Sequence, residues 1–209
     1  MEVQPTKGSW RTGSPSEVMS WLSCLTVSWW IAGGWALDLF VGAQGRVHGD
    51  LDVGVLRSEI MDVLVALPLW EFFEAKEGVL TRLDAGNAPR AEVNSLWCRP
   101  ASSSIWALEL VLDQSEQDRW VFRRDARIQR PLATVIQHSP EGIPYLAPEI
   151  QLLYKARNVR PQDQADFDRV VPQLDVNARA WLKWALCTVE PDHKWISMLD
   201  PHRTPEEDD

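Results

Sequence analysis

The sequence predicts an α+β fold in which a β-sheet with flanking helices precedes a small C-terminal helical part. Short apolar segments rich in β-branched and aromatic residues recur between helix-like segments up to residue 139, whereas helical periodicity dominates beyond 148. Residues 140–148 contain four turn-favouring residues, which indicates a linker. We therefore predict a first domain at 1–139, a helical domain at 140–200 and a disordered acidic tail at 201–209.

Caps, glycines and periodicity place the elements of the first half. The polar stretch 1–15, with its glycines and prolines, predicts a loose arm. Ser14 or Ser16 can cap the helix that follows, and Ser58 can cap a later one. The predicted order is a helix from 16, a strand at 27–32, a helix at 34–41 closed by Gly42, a strand at 51–56 and a helix at 59–67.

Strands dominate the middle of the chain and helices its last third. Residues 70–96 have the pattern of a hairpin or meander interrupted by glycine and proline, and short strands are predicted at 105–112 and 119–124. Pro148 suits a first helical position and predicts a helix over 149–158. Further helices are predicted at 162–171, at 176–188 and after Pro191.

The stretch from Ile31 to Leu56, IAGGWALDLFVGAQGRVHGDLDVGVL, carries the chemistry. Gly33 and Gly34 open a helix, where backbone N–H groups and the helix dipole favour an anion. Asp50 and Asp52 are two residues apart, so their carboxylates point to one face of a strand. Two such carboxylates repel each other unless a cation lies between them, and oxygen ligands suit Mg²⁺ that bridges phosphates. This combination predicts phosphoryl or nucleotidyl transfer.

The same residues resemble a known signature. Gly-Gly, a short helix and Asp-x-Asp on the next strand form the pattern of the nucleotidyltransferase superfamily with the DNA polymerase β-like catalytic fold. The longer stretch GGWALDLFVGAQGRVHGDLDV is most similar to aminoglycoside and lincosamide nucleotidyltransferases, which place an Arg and a His ahead of the acidic pair, as Arg46 and His48 stand here. The resemblance implies a mixed sheet and a third metal-binding carboxylate on a neighbouring strand.

Two glutamates are candidates for that third carboxylate. Glu109 stands alone in the apolar segment IWALELVL, and a buried charge without a partner costs much free energy, so Glu109 must have a partner or a catalytic role. Glu92 in AEVNSL is the alternative. The resemblance and the strand pattern both favour Glu109, as metal ligand and as general base.

Several further residues are candidates for nucleotide contacts. Backbone groups of Gly33 and Gly34 would contact phosphate, and Arg46 could reach a triphosphate or pair with Asp38. We expect His48 to order the loop or contact the nucleotide. Similar enzymes direct a lysine of the first helix of the second part at the triphosphate, which points to Lys155, although its side chain could merely extend along the surface.

An acidic element in RPQDQADF, with Asp163 and Asp166, also resembles a recurring feature of these nucleotidyltransferases. Helix capping explains Asp163 equally well.

The resemblance implies a mechanism. One or two Mg²⁺ ions, the second about 4 Å from the first, would orient the phosphates of a nucleoside triphosphate such as ATP. A hydroxyl of a small, cationic, aminoglycoside-like acceptor would lose its proton to a carboxylate and take up AMP, releasing pyrophosphate. The alternatives are a toxin-like enzyme that modifies transfer RNA or protein, and a nucleotide-binding module without turnover.

Composition narrows the partners. The formal net charge of −9 disfavours nucleic acid and suits a cationic small molecule, although Arg123, Arg124, Arg127 and Arg130 form a local basic cluster. Three scattered cysteines indicate a reducing compartment, and no segment predicts a leader or a membrane span, so we expect a cytoplasmic protein. The twelve tryptophans could line a pocket or pack the core.

Overall fold

The computed structural model describes residues 2–3, 10–11 and 13–200. The chain divides into two compact units, residues 1–146 and 147–209. The described residues form seven α-helices: α1 (Pro15–Leu22), α2 (Gly33–Val41), α3 (Ile60–Ala66), α4 (Pro148–Lys155), α5 (Pro161–Val170), α6 (Val176–Val189) and α7 (Trp195–Met198). They also form eleven strands: β1 (Glu2–Val3), β2 (Trp29–Ile31), β3 (Asp52–Leu56), β4 (Trp70–Lys76), β5 (Val79–Arg82), β6 (Ser95–Pro100), β7 (Leu108–Glu116), β8 (Arg119–Val121), β9 (Gln129–Pro131), β10 (Ile136–His138) and β11 (Pro144–Leu146).

All eleven strands join one sheet in the first unit, in the order β1-β5-β4-β6-β7-β3-β2-β11-β10, with β8 paired to β7 and β9 paired to β8. The β3–β7 and β11–β2 pairs are parallel, and the others are antiparallel. The predicted mixed sheet with flanking helices is therefore confirmed.

Strand β3 lies at the centre of the sheet and is buried on both faces. Val53 and Val55 are fully buried, and Gly54 leaves room on the opposite face for the fully buried indole of Trp30 on β2. A glycine inside a strand is typical of such a close approach to the backbone. Asp52 is the first residue of this strand, so a carboxylate stands where the buried core meets one end of the sheet.

Two of the helix ends in the first unit follow local sequence rules, and a third does not. Ser14 caps α1 in a capping box with Glu17, as one of the two predicted alternatives required. Helix α2 ends at Gly42, which adopts φ +77° and donates its N–H to the Asp38 carbonyl. Ser58 is not a cap, because a 3₁₀ turn at Arg57–Glu59 leads into α3.

Contacts between distant segments overturn two other predictions. The strand expected at 105–112 is β7 at 108–116, because Trp106 instead packs its ring on Phe73 and Trp97. The expected loose arm is wrong at the places described: Glu2–Val3 pairs with β5, and Trp10 forms a bridge with Trp106.

The second unit is helical, as expected, and begins with Pro148 at the first position of α4. The second compact unit begins at 147, and residues 144–146 of the predicted linker form strand β11. Phe167 on α5 stacks on the fully buried Trp195 on α7, with ring centroids 4.2 Å apart. The predicted acidic tail, 201–209, lies outside the described residues.

Two further observations concern the cysteines and the length of the helices. The three cysteines, Cys24, Cys98 and Cys187, are free. None of the helices in the described part of the chain is long and apolar enough to cross a membrane.

Candidate active site

The end of β2, the start of α2 and the start of β3 meet at one end of the sheet. Because β2 and β3 are antiparallel, Gly33 lies beside Asp52. Gly33 adopts φ +65°, and a methyl group on it would collide with Asp52 Oδ2. Glycine at this position therefore lets the Asp52 carboxylate rest against the N-terminus of α2.

Gly34 likewise leaves room for side chains of the loop that follows α2. A Cβ atom there would lie 2.5 Å from His48 Nδ1 and 2.6 Å from Arg46 Nη2. His48 is buried, and its Nε2 lies 2.5 Å from Asp38 Oδ2 on α2. The imidazole also packs on Trp35, with ring centroids 4.6 Å apart. These contacts fix the loop, with Arg46 and His48, against the first turns of α2.

The parallel β3–β7 pair brings Glu109 beside Asp52. The two residues are direct partners in the register, and the Glu109 N–H donates to the Leu51 carbonyl at 2.8 Å. Leu51 is fully buried, so Asp50 and Asp52, on either side of it, point away from the core. Asp50, Asp52 and Glu109 thus lie at the same end of the sheet.

Glu92, the alternative third carboxylate, lies elsewhere. It sits in an exposed turn before β6, where Lys76 Nζ lies 3.9 Å from Glu92 Oε1. The structure therefore brings Glu109 to Asp52 and leaves Glu92 apart.

Glu109 has a perturbed carboxyl group. Burial raises its pKa, and the negative charge of Asp50 raises it further. Hydrogen bonds from Ser95 Oγ at 2.5 Å and from the Trp97 indole, together with the nearby Arg123 guanidinium, oppose the rise without cancelling it. A carboxyl group whose pKa is raised in this way is suited to accept a proton during a reaction.

The donor set fits a hard divalent cation in chemistry and in strand register. Carboxylate oxygens are the ligands that Mg²⁺ prefers, and Asp52 and Glu109 are neighbours across two strands. Within the part of the chain that the structure describes, no three His, Cys, Asp or Glu side chains converge on one metal position. Binding of one cation by all three carboxylates therefore requires side-chain rotations from this arrangement.

The basic cluster after β8 is held largely by local partners. Arg127 Nη2 lies 2.6 Å from Asp125 Oδ2, Arg130 Nε donates to Thr134 Oγ1 at 3.0 Å, and the Arg124 guanidinium lies over the Phe122 ring. Arg123 differs from these, because its charge acts on Glu109.

Lys155, in the second unit, is buried rather than extended along the surface. Its Nζ lies 3.0 Å from Asp163 Oδ1 and 3.0 Å from Asp166 Oδ2, so the surface alternative is wrong. Arg160 also donates to Asp163, from its backbone N–H at 3.1 Å and from Nε at 2.7 Å. Asp163 therefore serves both as a capping residue and as a partner of Lys155. A triphosphate contact of Lys155 stays a prediction.

Burial and ion pairing act in opposite directions on Asp163. Burial raises its pKa, but the hydrogen bonds from Arg160 and Lys155 hold the pKa well below its ordinary value.

Sequence reasoning missed the residues that surround Glu109. Ser95 and Trp97 are two apart on β6, and Trp97 is the direct partner of Glu109. The alternation in the segment SLWCRP could have placed both on one face, but nothing local indicates that β6 is the neighbour of β7.

The family model of aminoglycoside-2''-adenylyltransferases matches residues 16–170, which is more than half of the chain. No curated protein sequence matches the chain.

Solved structures of two enzymes share the fold. ANT(2'')-Ia, in complex with adenylyl-2''-tobramycin, superposes with a TM-score of 0.56 at 11% identity, over 83% of this chain and 97% of that one. The lincosamide antibiotic adenylyltransferase LnuA, bound to lincomycin, superposes with a TM-score of 0.52 at 14% identity, over 74% of this chain and 92% of that one. The superfamily and fold predicted from the sequence are confirmed. The chain is a nucleotidyltransferase and belongs to the aminoglycoside-2''-adenylyltransferase family.

Proposed function

We propose that this enzyme transfers AMP from ATP to a hydroxyl group of a small cationic acceptor, an aminoglycoside or a related antibiotic, and releases pyrophosphate. The observation that carries the proposal is the direct pairing of Asp52 with Glu109 at the glycine-opened end of α2. This arrangement supplies oxygen ligands beside a helix N-terminus, which suits a cation and phosphate together.

Asp50, Asp52 and Glu109 would hold one or two Mg²⁺ ions, which would neutralise charge on the phosphate oxygens. Backbone groups at Gly33 and Gly34 would bind the nucleotide phosphates, together with Arg46, which lies beside Gly34. Glu109 takes the proton of the acceptor hydroxyl. The hydroxyl oxygen bonds to the α-phosphorus, and the bond from that phosphorus to pyrophosphate breaks.

Charge and relatives both support a cationic antibiotic as acceptor. The net charge of −9 attracts polycations and repels nucleic acid. The fold relatives were solved with lincomycin and with an adenylylated tobramycin. An ATP-consuming enzyme of this kind would act in the cytoplasm, where it would confer antibiotic resistance.

A transfer assay tests the proposal. The protein is incubated with ATP labelled at the α-phosphate, Mg²⁺ and either tobramycin or lincomycin, and the labelled antibiotic is identified by mass spectrometry. We expect a metal-dependent adduct with tobramycin that a chelator abolishes. A protein that binds ATP and Mg²⁺ but labels neither antibiotic would refute this acceptor class.

A further inference from the structure

One row of side chains crosses four strands at the candidate site. In the register, Asp52 on β3 is opposite Glu109 on β7, Glu109 is opposite Trp97 on β6, and Trp97 is opposite Phe73 on β4. Directly paired residues point to the same face of a sheet. With strands about 4.8 Å apart, the Trp97 backbone lies about 5 Å from that of Glu109 and about 10 Å from that of Asp52.

Beyond Glu109, this row is aromatic. We call Trp10, Trp97 and Trp106 the tryptophan cluster. The Trp97 ring centroid lies 4.7 Å from that of Trp10 and 5.6 Å from that of Trp106. Trp106 is almost completely buried, whereas Trp10 and Trp97 are half-buried. The Trp97 indole also donates to Glu109, and Trp10 and Trp97 pack against the buried cluster of Phe73, Leu80 and Trp106, so the partly exposed edge of this cluster adjoins the proposed base.

The strand order places the N-terminus of α2 and Trp97 on opposite sides of Asp52. Gly33 and the N-terminus of α2 are on the β2 side of Asp52, whereas Glu109 and Trp97 are on the β7 and β6 side. In phosphoryl transfer, the attacking and leaving oxygens lie roughly in line on opposite sides of phosphorus. If the phosphates are held at the N-terminus of α2, the acceptor is therefore expected on the β6 side.

We infer that Trp97, with Trp10 behind it, is the acceptor-binding surface of the enzyme and that it recognises a cationic amino sugar. The inference rests on the proposed function, because it takes Glu109 as the group that receives the hydroxyl proton. An indole face attracts ammonium groups, and the adjacent carboxylates add to that attraction.

Two arginines near this surface, Arg99 and Arg123, act on carboxylates of the sheet. Arg99 lies over the rings of Phe73 and Trp106, and its Nη2 lies 2.9 Å from Glu71 Oε2, so its charge is compensated within the sheet. Arg123 lies near Glu109 and acts on its carboxylate.

Two substitutions of Trp97 test the inference, with tobramycin as the probe. Trp97→Leu removes the aromatic face, and Trp97→Phe keeps a ring in case the leucine variant does not fold. Trp184→Leu, which replaces a 48% exposed tryptophan on α6, is the matched control. The measurements are the Kd of tobramycin and that of ATP with Mg²⁺, each by calorimetry, and the KM of each substrate in the transfer assay.

We expect Trp97→Leu to weaken tobramycin binding and to raise its KM by roughly tenfold. Trp97→Phe should keep tobramycin affinity within about threefold of wild type. ATP affinity should stay unchanged in both variants, and Trp184→Leu should behave as wild type.

Different results overturn different statements. Wild-type turnover together with an unchanged tobramycin Kd in Trp97→Leu would refute the inference and leave the proposed function standing. A raised Kd for ATP instead of tobramycin would show that Trp97 stacks on the nucleobase. Absence of transfer by the wild-type protein would overturn the proposed function, and the inference with it.

Discussion

Two carboxyl groups in this protein, Glu109 in the first unit and Asp163 in the second, have pKa values displaced in opposite directions. Burial and the charge of Asp50 raise the pKa of Glu109. Burial also acts to raise the pKa of Asp163, but Arg160 and Lys155 hold it well below the ordinary value. The difference therefore comes from the neighbours rather than from burial itself.

This contrast separates a site from a structural ion pair. The aspartates beside Lys155 share a lysine that the chain provides, so their charges are compensated when the protein folds. Glu109 instead has the like charge of Asp50 nearby, which raises its pKa. Like charges that are held together favour an external cation, which is why we assign the chemistry to the first group.

The largest expected effect concerns Glu109, the carboxyl group whose pKa is raised. Glu109→Gln should lower kcat by about 10²- to 10⁴-fold, which is the usual contribution of a positioned general base. The free energy of unfolding should not fall at neutral pH, because ionised Glu109 costs stability once the pH exceeds its unfolded-state pKa. The measurements are transfer kinetics and a thermal melt.

Glu92→Gln is the matched control, since Glu92 is an exposed glutamate in the turn before β6. It should keep wild-type kinetics. Full turnover in Glu109→Gln beside an inactive Glu92→Gln enzyme would mean that the third carboxylate was assigned to the wrong residue.

The next effect is on the free energy of unfolding and concerns Lys155, which pairs with Asp163 and Asp166. Lys155→Met leaves Asp163 and Asp166 buried without that cation, so it should cost about 3–5 kcal/mol in the free energy of unfolding, measured in urea. Lys183→Met removes a cation that pairs with Asp200 at the surface, and it should cost no more than about 1 kcal/mol. Equal losses in the two variants would contradict a structural role for Lys155.

The depressed pKa of Asp163 gives this prediction a pH dependence. The stability that ionised Asp163 contributes is present above its unfolded-state pKa of about 3.9 and is lost as the pH falls through its lower folded-state pKa. The stability difference between wild type and Asp163→Asn should therefore be full at neutral pH and shrink in acid. A difference that grows in acid would have the wrong sign.

The smallest expected effect is a difference in ATP binding between alanine substitutions at two glycines. Gly33 and Gly42 both have positive φ, so alanine at either should cost about 1–2 kcal/mol, or a few degrees in Tm. A methyl group at Gly33 also collides with Asp52, whereas one at Gly42 meets no atom within 4 Å. Gly33→Ala should therefore weaken binding of ATP with Mg²⁺ in calorimetry, and Gly42→Ala should not. Equal binding by both variants would mean that Gly33 serves only the backbone.

The sequence predicted the carboxylate pair because its signals are local. Asp52 follows a glycine-opened helix, and Glu109 interrupts an apolar strand, so both could be recognised from neighbouring residues alone. The pairing of β3 with β7 was expected only from the resemblance.

The surroundings of that pair could not be predicted because they depend on contacts between distant segments. Trp97 faces Glu109 only because β6 joins β7, and Trp106 leaves the predicted strand to pack on Phe73. Lys155 likewise meets Asp163 through the turn between two helices. None of these partners is marked by a local pattern.

The most direct test of the central claim is the thermal response of wild type and of Asp52→Asn to ATP and Mg²⁺. The wild-type Tm should rise when both are present and much less with either alone, because ligands that bind the native state stabilise it by mass action. Asp52→Asn should lose this shift while its ligand-free Tm stays unchanged or rises, since one of the clustered negative charges is gone. A wild-type Tm that ignores ATP and Mg²⁺, or an Asp52→Asn variant that responds as wild type does, would contradict the assignment of this site.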